Sequence, residues 1–404
     1  MSEKLFFFDP LQGLRRSYED LHADAIAIPT IPEFYWSNSC YDLMIMLVAA
    51  LSRHAELGLW QECPSAAQAA EVKAIGFGSD PKFRHSDLAR QLASSLGRLG
   101  VFTSGSTGRP KLIWHRVETL LRSARVHEKH GDDVWGLTYY PTHFAGLQVF
   151  FQAILNQNTL VRLHGLNPTQ TRDTILEHGV THISGTPTYM RLLCSCKTSF
   201  PSVTRVSVGG EICTPQTVTG IRNTFPAAKF QNFYASTEVG HLLTAEGDCF
   251  RIPAEYADCV QVLDGELAVH RSLLASSLQD SYDQEFYRTG DQVEVVQHDP
   301  LVIRFESRAR EMINVGGYKV NPHEVEAILL EMEEIVDARI YGKSNPVTGQ
   351  LTYCDIVQKQ GTALNIKLIR ERLSSRLQSY KIPRVLNLVE EIPTTPSGKT
   401  RRLT

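Results

Sequence analysis

The chain predicts an α/β protein: a large N-terminal part of mostly parallel sheet covered by helices, with an antiparallel appendage, followed by a small α+β unit. Three observations lead there. First, short apolar runs at Val134 to Tyr140, Thr159 to Leu163, Val180 to Ser184, Val203 to Val208 and Lys229 to Phe233 read as buried strands. Between them Gly146 to Asn156, Thr169 to His178, Thr188 to Ser195 and Pro215 to Phe225 have the length and apolar spacing of helices, and such alternation is the pattern of parallel crossovers. Second, from Asp248 to Phe305 strand patterns follow one another without helices, at Glu266 to His270, Val293 to Gln297 and Leu301 to Phe305, as in an antiparallel sheet. Third, beyond Arg310 a helix near Pro322 to Met332, strands near Val336 to Tyr341 and Thr352 to Gln358, a charged amphipathic helix from Leu364 to Leu377 and a strand near Val385 to Leu388 make a compact unit.

Composition narrows the class. At 404 residues the chain exceeds what one core usually serves, so two domains are expected. A formal net charge of -3 gives no electrostatic footprint for nucleic acid. The apolar run Leu43 to Leu51 is too short to cross a bilayer, and Asp9-Pro10 interrupts the apolar start before it can act as a signal-peptide core, so the reading is a cytoplasmic protein without a membrane span. The eight cysteines lack metal-ligand spacing and read as reduced thiols. No repeat, low-complexity stretch or carrier-protein segment is evident, and oligomeric state cannot be read.

The run Thr103-Ser104-Gly105-Ser106-Thr107-Gly108-Arg109-Pro110-Lys111 carries the first chemical information. Its glycines allow backbone N–H groups to approach phosphate oxygens, its hydroxyls add neutral donors, and Arg and Lys supply charge. A surface turn has the same composition. It is not the Walker motif, because Pro110 precedes the lysine and disfavours a helix starting there.

Four further motifs follow in order: Tyr234-Ala235-Ser236-Thr237-Glu238, Tyr287-Arg288-Thr289-Gly290-Asp291, Arg308 leading into Gly316-Gly317-Tyr318-Lys319-Val320, and Pro396-Ser397-Gly398-Lys399. Together with the first they resemble the adenylate-forming superfamily of acyl- and aryl-CoA synthetases, peptide-synthetase adenylation domains and luciferases. The resemblance runs from about Val101 to the end. The stretch before the phosphate loop is shorter than the family's usual one.

The resemblance implies a division into residues 1–307, which bind ATP and the acid, and a small mobile C-terminal lid of residues 308–404. It implies that Thr103, Ser104, Gly105, Ser106, Thr107 and Gly108 hold the β- and γ-phosphates, with Lys111 a mobile charge beside them. Thr237 would touch the α-phosphate, and Glu238 would hold Mg2+. Asp291 would accept the ribose hydroxyls, a task for a carboxylate with two acceptor oxygens. Arg308 would reach ribose or phosphate, with a surface salt bridge as the plain alternative. Gly209, Gly210, Glu211 and Asn232 would line the adenine pocket, and Tyr234 would cover the base. Ala235 stands where relatives often have glycine. Lys399 would bridge the substrate carboxylate and the α-phosphate, and Gly316 and Gly317 would leave a path for the thiol.

His143 and Phe144 match the family's acid-pocket segment, although a core histidine is the plain alternative at His143. Gly185 to Met190 and Val206 to Gly210 complete a mixture of small and apolar residues that suits an aryl or medium-sized hydrophobic acid better than an amino acid. Arg310 replaces an aspartate found in many relatives at the hinge. Three readings stay open: ATP-dependent acid activation with transfer to CoA, the same activation with transfer to a separate carrier protein, and a non-catalytic nucleotide- or acid-binding regulator.

Overall fold

The computed structural model describes residues 4–61, 63–64, 74–75, 87–103, 111–279, 281–308, 311–315, 318–345, 349–395 and 399–401. Its largest sheet has eight strands in the spatial order Gly240–Ala245, Lys229–Ser236, Arg205–Gly209, His182–Gly185, Val134–Leu137, Thr159–Arg162, Leu5–Asp9 and Leu14–Ser17. The inner strands pair in parallel, and only the two edge strands are antiparallel to their neighbours. The expected parallel sheet is therefore present, widened by Leu5–Asp9, which pairs with Thr159–Arg162. That strand has no flanking helix–strand alternation to announce it.

Strand and helix ends are set by local chemistry. The expected strand from Val134 stops at Leu137, ahead of Pro141. Helices Pro168–Glu177, Pro187–Cys194, Pro215–Thr224 and Pro322–Leu329 each begin with an N-cap Asn or Thr followed by proline. The cap side chain takes an orphan N–H, and proline at the first position loses no hydrogen bond there. The fourth crossover helix, Phe144–Leu155, starts at His143 without a side-chain cap. It is held by burial instead: Phe150 and Phe151 are fully buried.

A second sheet of four strands orders Phe34–Tyr35, Glu56–Leu59, Arg98–Thr103 and Lys111–Arg116. The last two form an antiparallel ladder in which Thr103 faces Lys111. The glycine-rich segment 104–110 thus joins two paired strand ends, and Lys111 opens a strand, as Pro110 implied. The run Leu43 to Leu51 lies inside Cys40–Ser52, a helix buried on nearly every side. Among the described residues no helix is long and apolar enough to cross a membrane.

The antiparallel appendage is a five-stranded sheet, ordered Cys249–Arg251, Leu301–Arg308, Phe286–His298, Glu266–His270 and Val260–Leu263. The C-terminal unit builds its own sheet from Tyr318–Val320, Ile313–Val315, Gly349–Gln358, Ile335–Asn345 and Val385–Val389. Helices Pro322–Leu329 and Ile366–Ser374 cover it, burying Val325, Leu329, Ile369 and Leu373 against Ile340, Cys354 and Ile356. The second helix is shorter than its charged pattern suggested, because Asn365 caps it and leaves Leu364 outside.

Candidate active site

The carboxyl ends of the parallel strands collect many of the described residues singled out in the sequence, as expected of an open α/β sheet. Gly185 ends its strand beside Val208, and Gly209 ends the next beside Phe233. A methyl group on Gly209 would stand 2.9 Å from the Phe233 carbonyl oxygen, so the residue must be glycine for the two strands to meet. Gly210 follows with φ +81°, a conformation that favours glycine.

Lys399 comes to this place from the far end of the chain. A Cβ on Gly210 would lie 2.8 Å from Lys399 Cε and 3.4 Å from its Nζ, so the lysine side chain lies across the glycine. A tight reversal aims it: Thr395 N–H donates to the Lys399 carbonyl at 2.7 Å, and Lys399 N–H donates to Thr395 Oγ1 at 3.2 Å.

The neighbouring Glu211 fastens that reversal to the sheet. One carboxylate oxygen accepts from Thr400 N–H at 2.7 Å and the other from Thr188 N–H at 3.1 Å, near the start of helix Pro187–Cys194. A carboxylate suits a helix N-terminus, where orphan donors and the dipole both favour negative charge. The sequence reading put Glu211 at the adenine pocket; here both its oxygens are engaged with these two backbone donors. Arg191 on the same helix donates to Asp337 Oδ1 from Nε at 3.1 Å and Nη2 at 2.7 Å, and Nη2 also reaches Thr188 Oγ1 at 2.9 Å. Asp337 lies in strand Ile335–Asn345 and is almost fully buried, and burial pushes its carboxyl up against the pull of the guanidinium. Arg339, two residues on, donates to the Arg401 carbonyl at 2.7 Å and pairs with Asp355.

Around the other motifs the geometry is as follows. Tyr234 donates its hydroxyl to Asp291 Oδ2 at 2.7 Å and stacks on Phe305 with ring centroids 4.4 Å apart. Asp291 is buried and faces Arg308 across the ladder. Its strand is irregular at the preceding Gly290, with φ +80°, whose N–H donates to Glu266 at 2.7 Å. The Asn232 amide donates to the Gly247 carbonyl at 2.8 Å. Thr237 and Glu238 are half-buried in the turn between Lys229–Ser236 and Gly240–Ala245. The Glu238 carbonyl accepts from Ala275 N–H at 2.7 Å, which fixes that turn, and among the described residues its carboxylate faces no ion-pair partner.

His143 and Phe144 sit at the start of their helix, both buried. Gly146 makes the approach possible, since a Cβ there would lie 2.4 Å from the Tyr140 carbonyl oxygen. Phe144 points at the Thr237 turn: its Cζ would be 3.5 Å from a Cβ on Gly240. Its ring centroid is 5.2 Å from that of His115, a fully buried residue of strand Lys111–Arg116. The polar group the His115 ring meets is the Thr237 backbone, and neither nitrogen makes a hydrogen bond of full geometry among the described residues. Burial holds its pKa down at about 4; nearby Arg122 acts in the same direction, and the Thr237 backbone opposes both only in part. His115 is therefore neutral at ordinary pH. It was missed in the sequence because a lone histidine carries no pattern. Arg191, Asp337 and the fastening role of Glu211 were missed for a different reason: their partners are more than a hundred residues away.

Ser104, Gly105, Ser106, Thr107, Gly108, Gly316 and Gly317 lie outside the described residues, as do the side chains of Thr103 and Arg308. Lys111 is exposed at the start of its strand.

Comparison with known proteins fits this geometry. Residues 90–260 match the family model for the AMP-binding enzyme, and residues 324–399 match its C-terminal domain. The chain is 26% identical over 330 residues to a 2-succinylbenzoate–CoA ligase of Staphylococcus epidermidis, covering 75% of this chain and 68% of that protein. It is 26% identical over 347 residues to 4-hydroxybutyrate–CoA ligase 1 of Metallosphaera sedula, covering 76% and 61%. The ATP-bound structure of MatB from Rhodopseudomonas palustris has the same fold, with a TM-score of 0.72 at 18% identity over 98% of this chain and 94% of that one. With both family models matched in order and the terminal lysine folded back onto the strand ends, the chain belongs to the adenylate-forming superfamily of AMP-binding enzymes.

Proposed function

We propose that the protein activates a carboxylic acid with ATP, releasing pyrophosphate, and passes the acyl group from the resulting adenylate to the thiol of CoA. The observation that carries this reading is the placement of Lys399 across Gly210, at the edge where nucleotide and acid would meet. In the first half-reaction a carboxylate oxygen bonds to the α-phosphorus and the bond to pyrophosphate breaks; in the second the thiol attacks the acyl carbon and AMP leaves. Both anions of the first step need positive charge as they approach, and a lysine held there stabilises what builds up in the transition state.

The remaining roles are assigned with it. The segment 103–111 holds the outer phosphates, Thr237 the α-phosphate, and Asp291, oriented by Tyr234, the ribose. Glu238 suits Mg2+, which takes one or two carboxylates and completes its shell with phosphates and water; a half-buried carboxylate facing no cation among the described residues fits that need. The ion would spread charge over the departing pyrophosphate. We place the division between body and lid at residues 307 and 308, at the end of the last appendage strand, Leu301–Arg308, and ahead of Ile313–Val315, which already belongs to the C-terminal sheet.

Neutral rings line the acid side. His115 is uncharged, Phe144 is apolar, and the Arg122 guanidinium is occupied by the carbonyls of Val239 and Leu273. An aryl or medium-sized hydrophobic acid suits such walls, whereas an amino acid needs an anion for its ammonium. An ATP–pyrophosphate exchange screen over aryl, aliphatic and amino acids tests this, followed by acyl-CoA detection with the best acid. Exchange with aryl or hydrophobic acids and a CoA thioester product are expected. Exchange confined to amino acids, or adenylation with no thioester formed from CoA, would overturn the substrate class or the acceptor respectively.

A further inference from the structure

The amino-terminal end of the parallel strands, opposite the catalytic edge, carries a second cluster of chemistry-bearing side chains. His182 opens strand His182–Gly185, Asp133 immediately precedes the adjacent strand Val134–Leu137, and His130 ends the turn Glu128–His130. Asp133 Oδ2 lies 3.0 Å from His130 Nδ1 and 3.3 Å from His182 Nε2, and the three atoms fall within 4.8 Å of one another. Their side chains are 11%, 15% and 6% exposed for His130, Asp133 and His182.

These separations have a chemical meaning. Ligands bonded to zinc at its usual distances stand about 3.3 Å apart along the edges of the tetrahedron, so both edges through Asp133 already have that length. The third, between the imidazoles, has to close by no more than about 1.5 Å. Both rings address the same carboxylate oxygen, which requires two N–H donors when no ion is bound. A cation between the three groups replaces both of those protons.

The surroundings suit a ligand set. His182 Nδ1 meets the Thr181 hydroxyl at 2.8 Å, and that hydroxyl is itself fixed by both backbone groups of Val134. This outer contact orients the ring with Nε2 toward Asp133, as metal-bound histidines are oriented by a partner on the other nitrogen. Arg205 opposes cation binding from the next strand, and it is turned toward Gln231, to which it donates at 3.1 Å.

We propose that His130, Asp133 and His182 form a site for a divalent transition ion of the zinc type, with water completing the shell. Two imidazoles select such an ion over Mg2+ or Ca2+, so the site is chemically distinct from the one assigned to Glu238. Its position ties the Glu128–His130 turn to two neighbouring strands and serves stability, not the reaction.

The test uses the full chain stripped with a chelator. Titration with Zn2+ should load one ion that survives dialysis and raises the melting temperature, and Co2+ should give tetrahedral visible bands without thiolate charge transfer. His130→Gln and His182→Gln should each weaken Zn2+ by about tenfold or more, with pyrophosphate exchange unchanged. Should His182→Gln fail to fold, His130→Gln, on the turn, decides alone. Absence of retained Zn2+, or equal retention by wild type and His130→Gln, would overturn the proposal and leave a hydrogen-bonded triad.

Discussion

The body of the molecule and its C-terminal unit are held together internally by the same means and to each other by different ones. Within the body, Phe6, Phe7, Phe150 and Phe151 are sealed from solvent, and the C-terminal unit has its own sealed cluster around Val325, Leu329 and Ile340. Between the two, the contacts described above are polar: Arg191 with Asp337, and Glu211 with Thr400. An apolar seam would be costly to open, since each exposed side chain would lose about 1.5–3 kcal/mol. Polar groups recover hydrogen bonds in water, so a net cost of only about 1 kcal/mol per bond separates docked from undocked. The comparison teaches that two sealed cores meet across polar contacts, a seam that suits the reversible docking the proposed function asks of Lys399.

The largest effect should come from the body. Phe150→Ala empties a sealed position and should cost about 3–5 kcal/mol of global stability, read by denaturant unfolding. Its apparent affinities for ATP and acid should change little where it remains folded. A Phe150→Ala protein with native stability would mean that the core is not what holds the body.

Lys399→Ala should be nearly as large but appear in a different measurement. Removing one preorganised donor should cost roughly 3–4 kcal/mol of transition-state stabilisation in adenylate formation. Unfolding should be unaffected, and a supplied acyl-adenylate should still be converted to thioester. Equal loss in both half-reactions, measured in single turnovers, would contradict a lid that serves only the first with this residue.

Arg191→Met sharpens the comparison further. In a fixed core, stranding Asp337 would cost about 3–5 kcal/mol. Here undocking lets Asp337 meet water, so the cost should be capped at roughly 1–3 kcal/mol and fall on the adenylation rate. Body stability should stay as it was. If instead the melting transition drops as far as in Phe150→Ala, the seam is part of the core.

How much of this was legible in the sequence follows the same division. The crossover strands and helices announced themselves because each repeats a local period, and the helix starts so read fall within two residues of the observed ones. The motif residues Lys399, Asp291 and Thr237 could be singled out because their neighbours in sequence are distinctive. The strand Leu5–Asp9 was not, since its partner Thr159–Arg162 lies far along the chain and only the tertiary fold supplies its pairing. The Arg191–Asp337 contact was illegible for the same reason: the two look like ordinary helix and strand residues until the two units meet.

The smallest effect concerns His115, which belongs to the body by burial and to the site by its contact with Phe144. Its folded pKa of about 4 lies below the ordinary imidazole value, so between about pH 6.5 and 4 the unfolded chain holds a proton that the folded chain lacks. Stability from this residue is therefore complete above pH 6.5 and is lost as pH falls toward 4, at a slope of at most about 1.4 kcal/mol per pH unit. His115→Leu should remove one proton from that slope, the Thr237 backbone contact being the polar interaction that leucine forfeits. Unfolding free energies measured across pH 4 to 7 for both proteins decide it. An unchanged slope would mean that His115 takes up its proton while folded, and the acid pocket would then offer a cation, which would redirect the substrate screen toward dicarboxylic acids.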